Sequence, residues 1–449
     1  MTSRPPGPRS WNWTGSTCAE GLETRGSEFA PELPCFADDA RWHTVGMPAP
    51  DALTATAPLV ACLLAAPALA GGTFTVEHVA SIPPCVIQRI NAAGQISGDF
   101  QYQSITRAMR HDPGVGPVPL AVPAGTTQSI AIGINSAGTC MGRITAPSTG
   151  TVAAMWSPTG AITTLPNPAG NWTYSTGVAI NDTGLACGFA TLALVGTDPQ
   201  QAWRWTQAGG YEMLPQLGGI EATCRDINAS GTVVGTAVTS GGGVRAVTWA
   251  PNGTITDLGV PQGATGSYGL NINDAGVVVG TSPATKAYVW RPTNGWLRLP
   301  DLGFKASAYD INNAGWIVGW VDAMPFETVP AVWSPEGQLF NIAALVDQNR
   351  FYFSNDFSIP IAVSDNNLIV VRGYDFTVSG DPVVIVFRIN VDAPCPADLD
   401  GNGSVNGDDL GILLGAWGPA NGSAADLNAD GFVNADDLGI MLGAWGTCG

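Results

Sequence analysis

From residue 90 onward the chain alternates apolar and polar positions in short runs, and each run breaks at the same punctuation. The phrase reads INAAGQISG at Ile90, INSAGTCMG at Ile134, INDTGLACG at Ile180 and INASGTVVG at Ile227. It continues as INDAGVVVG at Ile272 and INNAGWIVG at Ile311, with a worn copy, VSDNNLIVV, from Val363. That is about seven copies at a period of roughly 45 residues, the range in which propeller blades fall. Within a copy, an alternating run such as Ala306–Asn312 ends at Ile-Asn, and an Asn/Asp-Ala-Gly turn reverses the chain. Glycine supplies the positive φ that such a tight turn needs. A Val-Val-Gly strand follows, then an Ala-x-x-Trp strand, a second turn (Ala250–Gly253, Ser334–Gly337) and a short strand such as Thr254–Leu258. Four strands per copy and about seven copies predict a mainly β fold, a seven-bladed β-propeller of four-stranded blades over residues 71–392.

Trp156, Trp205, Trp249, Trp290 and Trp333 end the third strands and are expected to pack between neighbouring blades. Each ring can bury about 150–250 Å² there. The repeated Asn91, Asn135, Asn181, Asn228, Asn273 and Asn312 are expected to satisfy turn backbone rather than to form a binding ring. The grammar Ile-Asn-x-x-Gly-x-Val-Val-Gly, Ala-x-x-Trp and a closing Leu-Gly resembles the extracellular HAF repeat family over about residues 85–375. The match is weaker in the first unit, where Arg110 is taken to replace the Trp, and in the last, where Ser364 replaces the Asn. The resemblance implies a secreted propeller-like module and brings no established chemistry with it.

Past Asp392 the periodicity changes to that of helices, and the chain carries no Lys or Arg. ADLDGNGSVNGDDLGILLGAWG from Ala397 recurs as ADLNADGFVNADDLGIMLGAWG from Ala425. As a twelve-residue calcium loop, the first copy offers Asp398, Asp400, Asn402, the Ser404 carbonyl, Asn406 and Asp409. The second offers Asp426, Asn428, Asp430, the Phe432 carbonyl, Asn434 and Asp437. These are loop positions 1, 3, 5, 7, 9 and 12, with Gly403 and Gly431 at the sharp sixth, so each loop would wrap one Ca2+ in oxygen ligands. Leu410, Leu413, Leu414 and Trp417, like Leu438, Met441, Leu442 and Trp445, are expected on one helical face. No helix precedes either loop. The duplicated loop with one following helix resembles the dockerin type I family over residues 393–449, and the LLGAWG ending resembles dockerin-type tails of secreted planctomycete proteins. The resemblance implies two Ca2+ sites and a cohesin-like partner. Cohesin specificity does not carry over, because Gly407-Asp408 and Ala435-Asp436 stand where cellulosomal dockerins carry Ser/Thr-type recognition residues. Calcium that merely folds a small terminal module is the plainer alternative.

Composition narrows the function. Charged residues are 12% of the chain, against roughly 25% in an average globular protein. A net charge of -18 argues against nucleic-acid or anionic-membrane partners. Residues 58–70 form an apolar run ending Ala68-Leu69-Ala70, a signal peptide with its cleavage site and too short for a membrane span. Residues 1–70 are therefore read as leader and signal peptide, and the protein as extracellular. Leu59–Cys62 also resembles a lipoprotein box, but apolar sequence continues past it. Of the six later cysteines, Cys395 and Cys448 bracket the acidic repeats and are expected to pair, a propeller cysteine being the alternative partner for Cys395. No catalytic residues stand out. A Ser-His-Asp triad would have to use His78 or His111. Asp226 and Asp310 share the position two before the repeat Asn with Arg89 and Asn271, a place that also suits turn stabilisation. The favoured reading is a secreted non-catalytic propeller binding a glycan or protein and tethered through its dockerin. The alternative is a polysaccharide-degrading enzyme, an O-glycosyl hydrolase or its accessory. A strand at Thr73–His78 is expected to pair in the last unit, which lacks its own outer strand.

Overall fold

The computed structural model describes residues 74–447 apart from 84, 103–104, 193–198, 325–326, 354–359, 379, 392–395, 401–403, 421 and 429. The leader and signal segment, Asn402, Gly403, Cys395 and Cys448 lie outside the described residues. The fold is mainly β and of propeller type. Among the described residues no helix is long and apolar enough to cross a membrane.

Six runs of four consecutive antiparallel strands follow one another, the first being Val86–Ile90, Ile96–Tyr102, Ile105–Asp112 and Gly116–Pro119. The fourth run is Gly218–Ile227, Val233–Thr239, Val244–Trp249 and Ile255–Asp257, and the sixth spans Ala306–Ile311 to Leu339–Asn341. A seventh unit has Pro360–Val363, Leu368–Asp375 and Val383–Val391, and its outer strand comes from the other end of the chain. Phe74–Ile82 pairs antiparallel with Val383–Val391, from Phe74 opposite Val391 to Ile82 opposite Val384. The expected exchange of a strand between the two ends of the repeat array is therefore present. Phe74 stacks on Phe340 of the sixth unit at a centroid distance of 4.0 Å, so the added strand also joins two units.

The repeat phrase builds the hairpin between first and second strands. Asn91 Oδ1 accepts the amide of Gln95 at 2.9 Å while Gly94, at φ 77°, turns the chain. In the worn seventh copy Asn367 holds the same place at φ 57°, and the Ser364 hydroxyl accepts the Leu368 amide at 3.1 Å. The amide end of each repeat Asn reaches onward to the next unit. Asn91 Nδ2 donates to Asn135 O (2.9 Å), Asn135 to Asn181 O (3.2 Å) and Asn181 to Asn228 O (3.0 Å). Asn228 donates to Asn273 O (3.2 Å), Asn273 to Asn312 O (3.2 Å) and Asn312 to Ser364 O (2.9 Å). Serine has no amide to pass on, and Asn366 takes over, donating to Ala92 O of the first unit at 2.7 Å. Each Asn therefore satisfies a turn, as expected, and links units as well.

Third-strand tryptophans pack in the seams between units, and those at the repeat position are fully buried in alternate units, while Trp203 fills the seam of the third. Trp156, Trp249 and Trp333 are fully buried, and their indole N–H groups donate to Ala121, Pro215 and Pro300 carbonyls of the preceding unit at 2.7–2.8 Å. Trp205 and Trp290 are only half-buried. In the fifth unit Trp296 of the fourth strand makes the backward bond instead, to Gly259 O at 3.2 Å. Arg110 does not occupy the Trp position of the first unit. The register puts His111 opposite Ile96, as Trp156 is opposite Cys140, and the spacing Ala108-x-x-His111 is the repeat's own. Arg110 instead donates forward to Pro158 O of the second unit at 2.8 Å, as Arg204 does to Ala250 O of the fourth at 3.1 Å.

The acidic tail holds two nine-residue helices, Gly407–Gly415 and Ala435–Gly443, each entered through a capping box. Asn406 and Asn434 cap the amides of Asp408 and Asp436, while Asp409 and Asp437 reach back to the cap amides. The two copies cross-pair, Ser404–Val405 with Gly446–Thr447 and Gly418–Pro419 with Phe432–Val433. Leu413 and Met441 lie in the small shared core. The expected single apolar face splits. Leu414, Trp417, Leu442 and Trp445 are about half exposed; the two tryptophans lie past the helix ends, where helical spacing no longer governs them, while Leu414 and Leu442 stand within the helices beside the buried Leu413 and Met441.

Candidate functional site

Two places concentrate chemistry. In the first acidic loop, carboxylate oxygens of Asp398, Asp400 and Asp409 lie within 4.8 Å of one another. Three like charges at that spacing repel unless a cation joins them. Asp409 is buried, and its Oδ1 accepts the Leu399 and Asp400 amides at 2.6 and 3.1 Å while Oδ2 accepts the Asn406 amide at 2.9 Å. Burial acts to raise its pKa, but the bonds from those amides outweigh it and hold the carboxyl below the usual range. The Asn406 side chain is engaged in its cap and in a 3.1 Å bond to Ser404 O, which suits a ninth position that reaches calcium through water.

The second loop repeats the wiring. Asp426 accepts the Asp430 and Gly431 amides at 3.1 and 2.9 Å, Asp430 accepts the Phe432 amide at 2.9 Å, and Gly431 turns at φ 91°. Asp437 accepts amides from Leu427 and Asn434, both at 2.8 Å, and its pKa is likewise lowered against the effect of burial. Asn428 binds Asp430 through its amide at 3.1 Å, standing where the first loop has Asp400. The described ligand residues fit calcium as oxygen donors gathered on one turn of chain. Asn434 caps its helix as Asn406 does, and the Phe432 carbonyl lies on the short strand beside it.

The second place is a cavity of about 210 Å³ into which all seven first strands run. A β-bulge recurs in every one of them, between Ile87 and Arg89, Cys224 and Asp226, Gly269 and Asn271, Ala308 and Asp310, and the equivalents. A bulge re-aims the residue after it. Arg89, Asp226, Asn271 and Asp310 consequently line one cavity although they come from four units. The two aspartates do not stabilise their own turns. They join units, Asp226 Oδ2 accepting the Ile272 amide at 3.2 Å and Asp310 Oδ2 the Val363 amide at 2.8 Å. Burial pushes Asp226 up to about 6, with Arg89 opposing and Asp310 adding to the rise. Asp310 is raised for the same first reason, again against Arg89.

The structure also brings together a serine, a histidine and an aspartate that are distant in sequence. Ser81 Oγ donates to Asp375 Oδ2 at 2.6 Å, and His78 Nε2 lies 3.0 Å from Ser81 Oγ. Arg350 grips Asp375 through Nε (3.1 Å) and Nη2 (2.9 Å) and stands 3.3 Å from His78 Nδ1. A nucleophilic serine gives its proton to histidine, with the aspartate behind the ring. Here the serine gives it to the aspartate and a guanidinium stands behind the ring. The cluster fastens the exchanged strand to the seventh unit and is not wired for acyl transfer.

No protein-family model matches the sequence, and no curated protein does. Among solved structures the chain is similar to a streptogramin B lyase, at 13% identity over 71% of this chain and 98% of that one, with a TM-score of 0.44. It is similar to the virginiamycin B lyase of Staphylococcus aureus at 12% identity, over 70% and 99% of the two chains, with a TM-score of 0.44. The WD40 β-propeller domain of Doa1 matches at 12% identity over 70% and 96%, with a TM-score of 0.40. Likeness this distant transfers none of their chemistry.

Proposed function

We propose that this chain is a secreted, non-catalytic binding protein. Its seven units close into a seven-bladed propeller of HAF-like repeats that reads a glycan or protein ligand, and a dockerin-like tail holding two Ca2+ ions tethers it to a cohesin-like partner. The observation that carries this reading is the gathering of Asp398, Asp400 and Asp409 in a loop that the chain repeats with the same amide wiring. Closure of the ring is supported by the relay of Asn bonds that returns from Asn366 to Ala92. Calcium would be held in the first loop by Asp398, Asp400, Asn402, the Ser404 carbonyl and Asp409, with Asn406 acting through water. In the second it would be held by Asp426, Asn428, Asp430, the Phe432 carbonyl and Asp437, with Asn434 in the same indirect place. When bound it supplies the charge that lets these carboxylates share a turn.

One observation favours the hydrolytic alternative, the presence of two carboxyls with raised pKa, Asp226 and Asp310, in one cavity. Against it, Asp310 spends both oxygens on backbone amides, Val363 at 2.8 Å and Ile311 at 3.0 Å. A panel of polysaccharides assayed for both binding and product release separates the two. Binding without products supports the proposal, and products that vanish in Asp226→Asn overturn it.

A further inference from the structure

The cavity contains polar groups that the fold does not use. Asn271 is only 3% exposed, it lines the cavity, and among the described residues its side chain makes no hydrogen bond. Its amide atoms stay open to the cavity, and nothing in the inter-unit relay requires them, since Asn273 serves there. The Arg89 guanidinium likewise has no hydrogen bond or ion pair among the described residues, and it acts on Asp226 and Asp310 only through its charge. Gly133 and Ala179, at the same post-bulge position of the second and third units, bring no polar side chain to the lining between Arg89 and the Asp226–Asn271–Asp310 arc, and Gly133 packs closely on the Val178–Ala179 backbone.

Charge narrows what could fill the cavity. Around the lining, Asp182, Asp226, Asp274, Asp310 and Asp365 face a single guanidinium, so the cavity attracts cations. A metal held by three carboxylates does not fit. Among the described residues the one acidic group close enough together for that is Asp398, Asp400 and Asp409 in the tail. A lysine side chain would bring its charge on a methylene stem that wants an apolar sleeve, whereas this cavity sets carboxylate, amide and guanidinium around one small space. Such a spread of donors and acceptors suits a ring carrying an amine beside several hydroxyls, and about 210 Å³ is the scale of one sugar residue.

We propose that the cavity binds a hexosamine unit of an amino-glycan, its ammonium between Asp226 and Asp310 and its hydroxyls on Asn271 and Arg89. This deepens the glycan-binding reading given above and rests on it. The raised pKa of Asp226 agrees, because a bound ammonium supplies the countercharge that this buried carboxyl lacks.

The test is calorimetric titration of the full chain, in calcium-containing buffer at pH 7, with a glucosamine tetramer. The N-acetylated tetramer, a glucose tetramer and lysine methyl ester serve as comparisons. The glucosamine tetramer should bind at least tenfold more tightly than either other sugar. Asn271→Leu, which fills the space, and Arg89→Ala should each weaken it about tenfold without shifting the unfolding temperature. Asp226→Asn, which keeps the acceptor for Ile272, should remove the preference for the amine. Tight binding of the glucose tetramer in place of glucosamine overturns the amine assignment and leaves the propeller a glycan reader. Binding of no sugar at all overturns the hexosamine and the glycan reading and leaves a protein ligand, and binding of lysine methyl ester alone overturns the sugar. Glucosamine binding untouched by Asn271→Leu and Arg89→Ala places the ligand elsewhere and overturns the site.

Discussion

Replacing Asn228 by Ala tests the relay that links the units. Its Oδ1 accepts the Thr232 amide at 2.9 Å and the Ser230 hydroxyl at 2.8 Å, and its Nδ2 donates to Asn273 O at 3.2 Å. Asn228 is buried, so the Thr232 amide and the Asn273 carbonyl left behind gain little from water, whereas the exposed Ser230 hydroxyl keeps Thr232 Oγ1 and water as partners. At about 1 kcal/mol net per bond, the two bonds that count amount to about 2 kcal/mol. The seventh unit supplies its own control, because Ser364 keeps the turn bond to the Leu368 amide without passing an amide onward. Asn228→Ser should therefore keep about half of that energy, losing about 1 kcal/mol. The assay is reversible urea unfolding followed by tryptophan fluorescence, comparing midpoints at equal slope. A loss below about 0.5 kcal/mol in Asn228→Ala would show that the relay does not hold the units. Equal losses in the Ala and Ser variants would refute the division into turn and link.

Deleting residues 74–82 should lower the unfolding temperature substantially, since Phe74 and Ile82 are buried and the strand joins two units; an unchanged temperature would sink the exchange as a stabilising device. His78 has a pKa below its ordinary value, by burial first and the nearby Arg350 second, with Asp375 opposing. The fold therefore favours the neutral ring, and its contribution is whole above about pH 6.5 and drains as pH falls below that. His78→Gln should make the loss of stability from pH 7 to pH 5 shallower than in the parent, and identical slopes would count against this wiring. Cys85, Cys140, Cys187 and Cys224 are buried free thiols, with burial pushing Cys85 and Cys140 up to about 12. Non-reducing peptide maps should accordingly show Cys395 joined to Cys448 and the four propeller thiols unalkylated in the native protein.

Much of this arrangement was legible in the sequence where the physics is local. Ile-Asn-x-x-Gly is turn chemistry confined to five residues, so its copies announce the hairpins whatever surrounds them. The loop spacing in the tail is legible for the same reason. What the sequence hid depends on register and on neighbouring units. The bulge before Arg89, Asp226, Asn271 and Asp310 leaves no residue signature, yet it aims all four at one cavity. The Trp position of the first unit falls on His111, three residues past Ala108, and not on Arg110, a difference that only the strand register shows. Asn366 takes up the relay from a place where the side chains of Thr183 and Ser230 bond only within their own turns. Trp417 and Trp445 leave the expected helical face because they lie past the helix ends. Ser81, His78 and Asp375 meet only because the exchanged strand crosses to the seventh unit.

The central claim, a propeller carried on a calcium-ordered tail, is tested most directly by calcium calorimetry of the full chain after chelator treatment, beside the Asp398→Ala, Asp426→Ala double variant. The parent should take up two ions and the variant none. Amide exchange in residues 396–447 should also slow when calcium is added. At free calcium a hundred times the dissociation constant, the tail would gain about 2.7 kcal/mol per site by mass action. No uptake by the parent at millimolar calcium, or equal uptake by the variant, would contradict it.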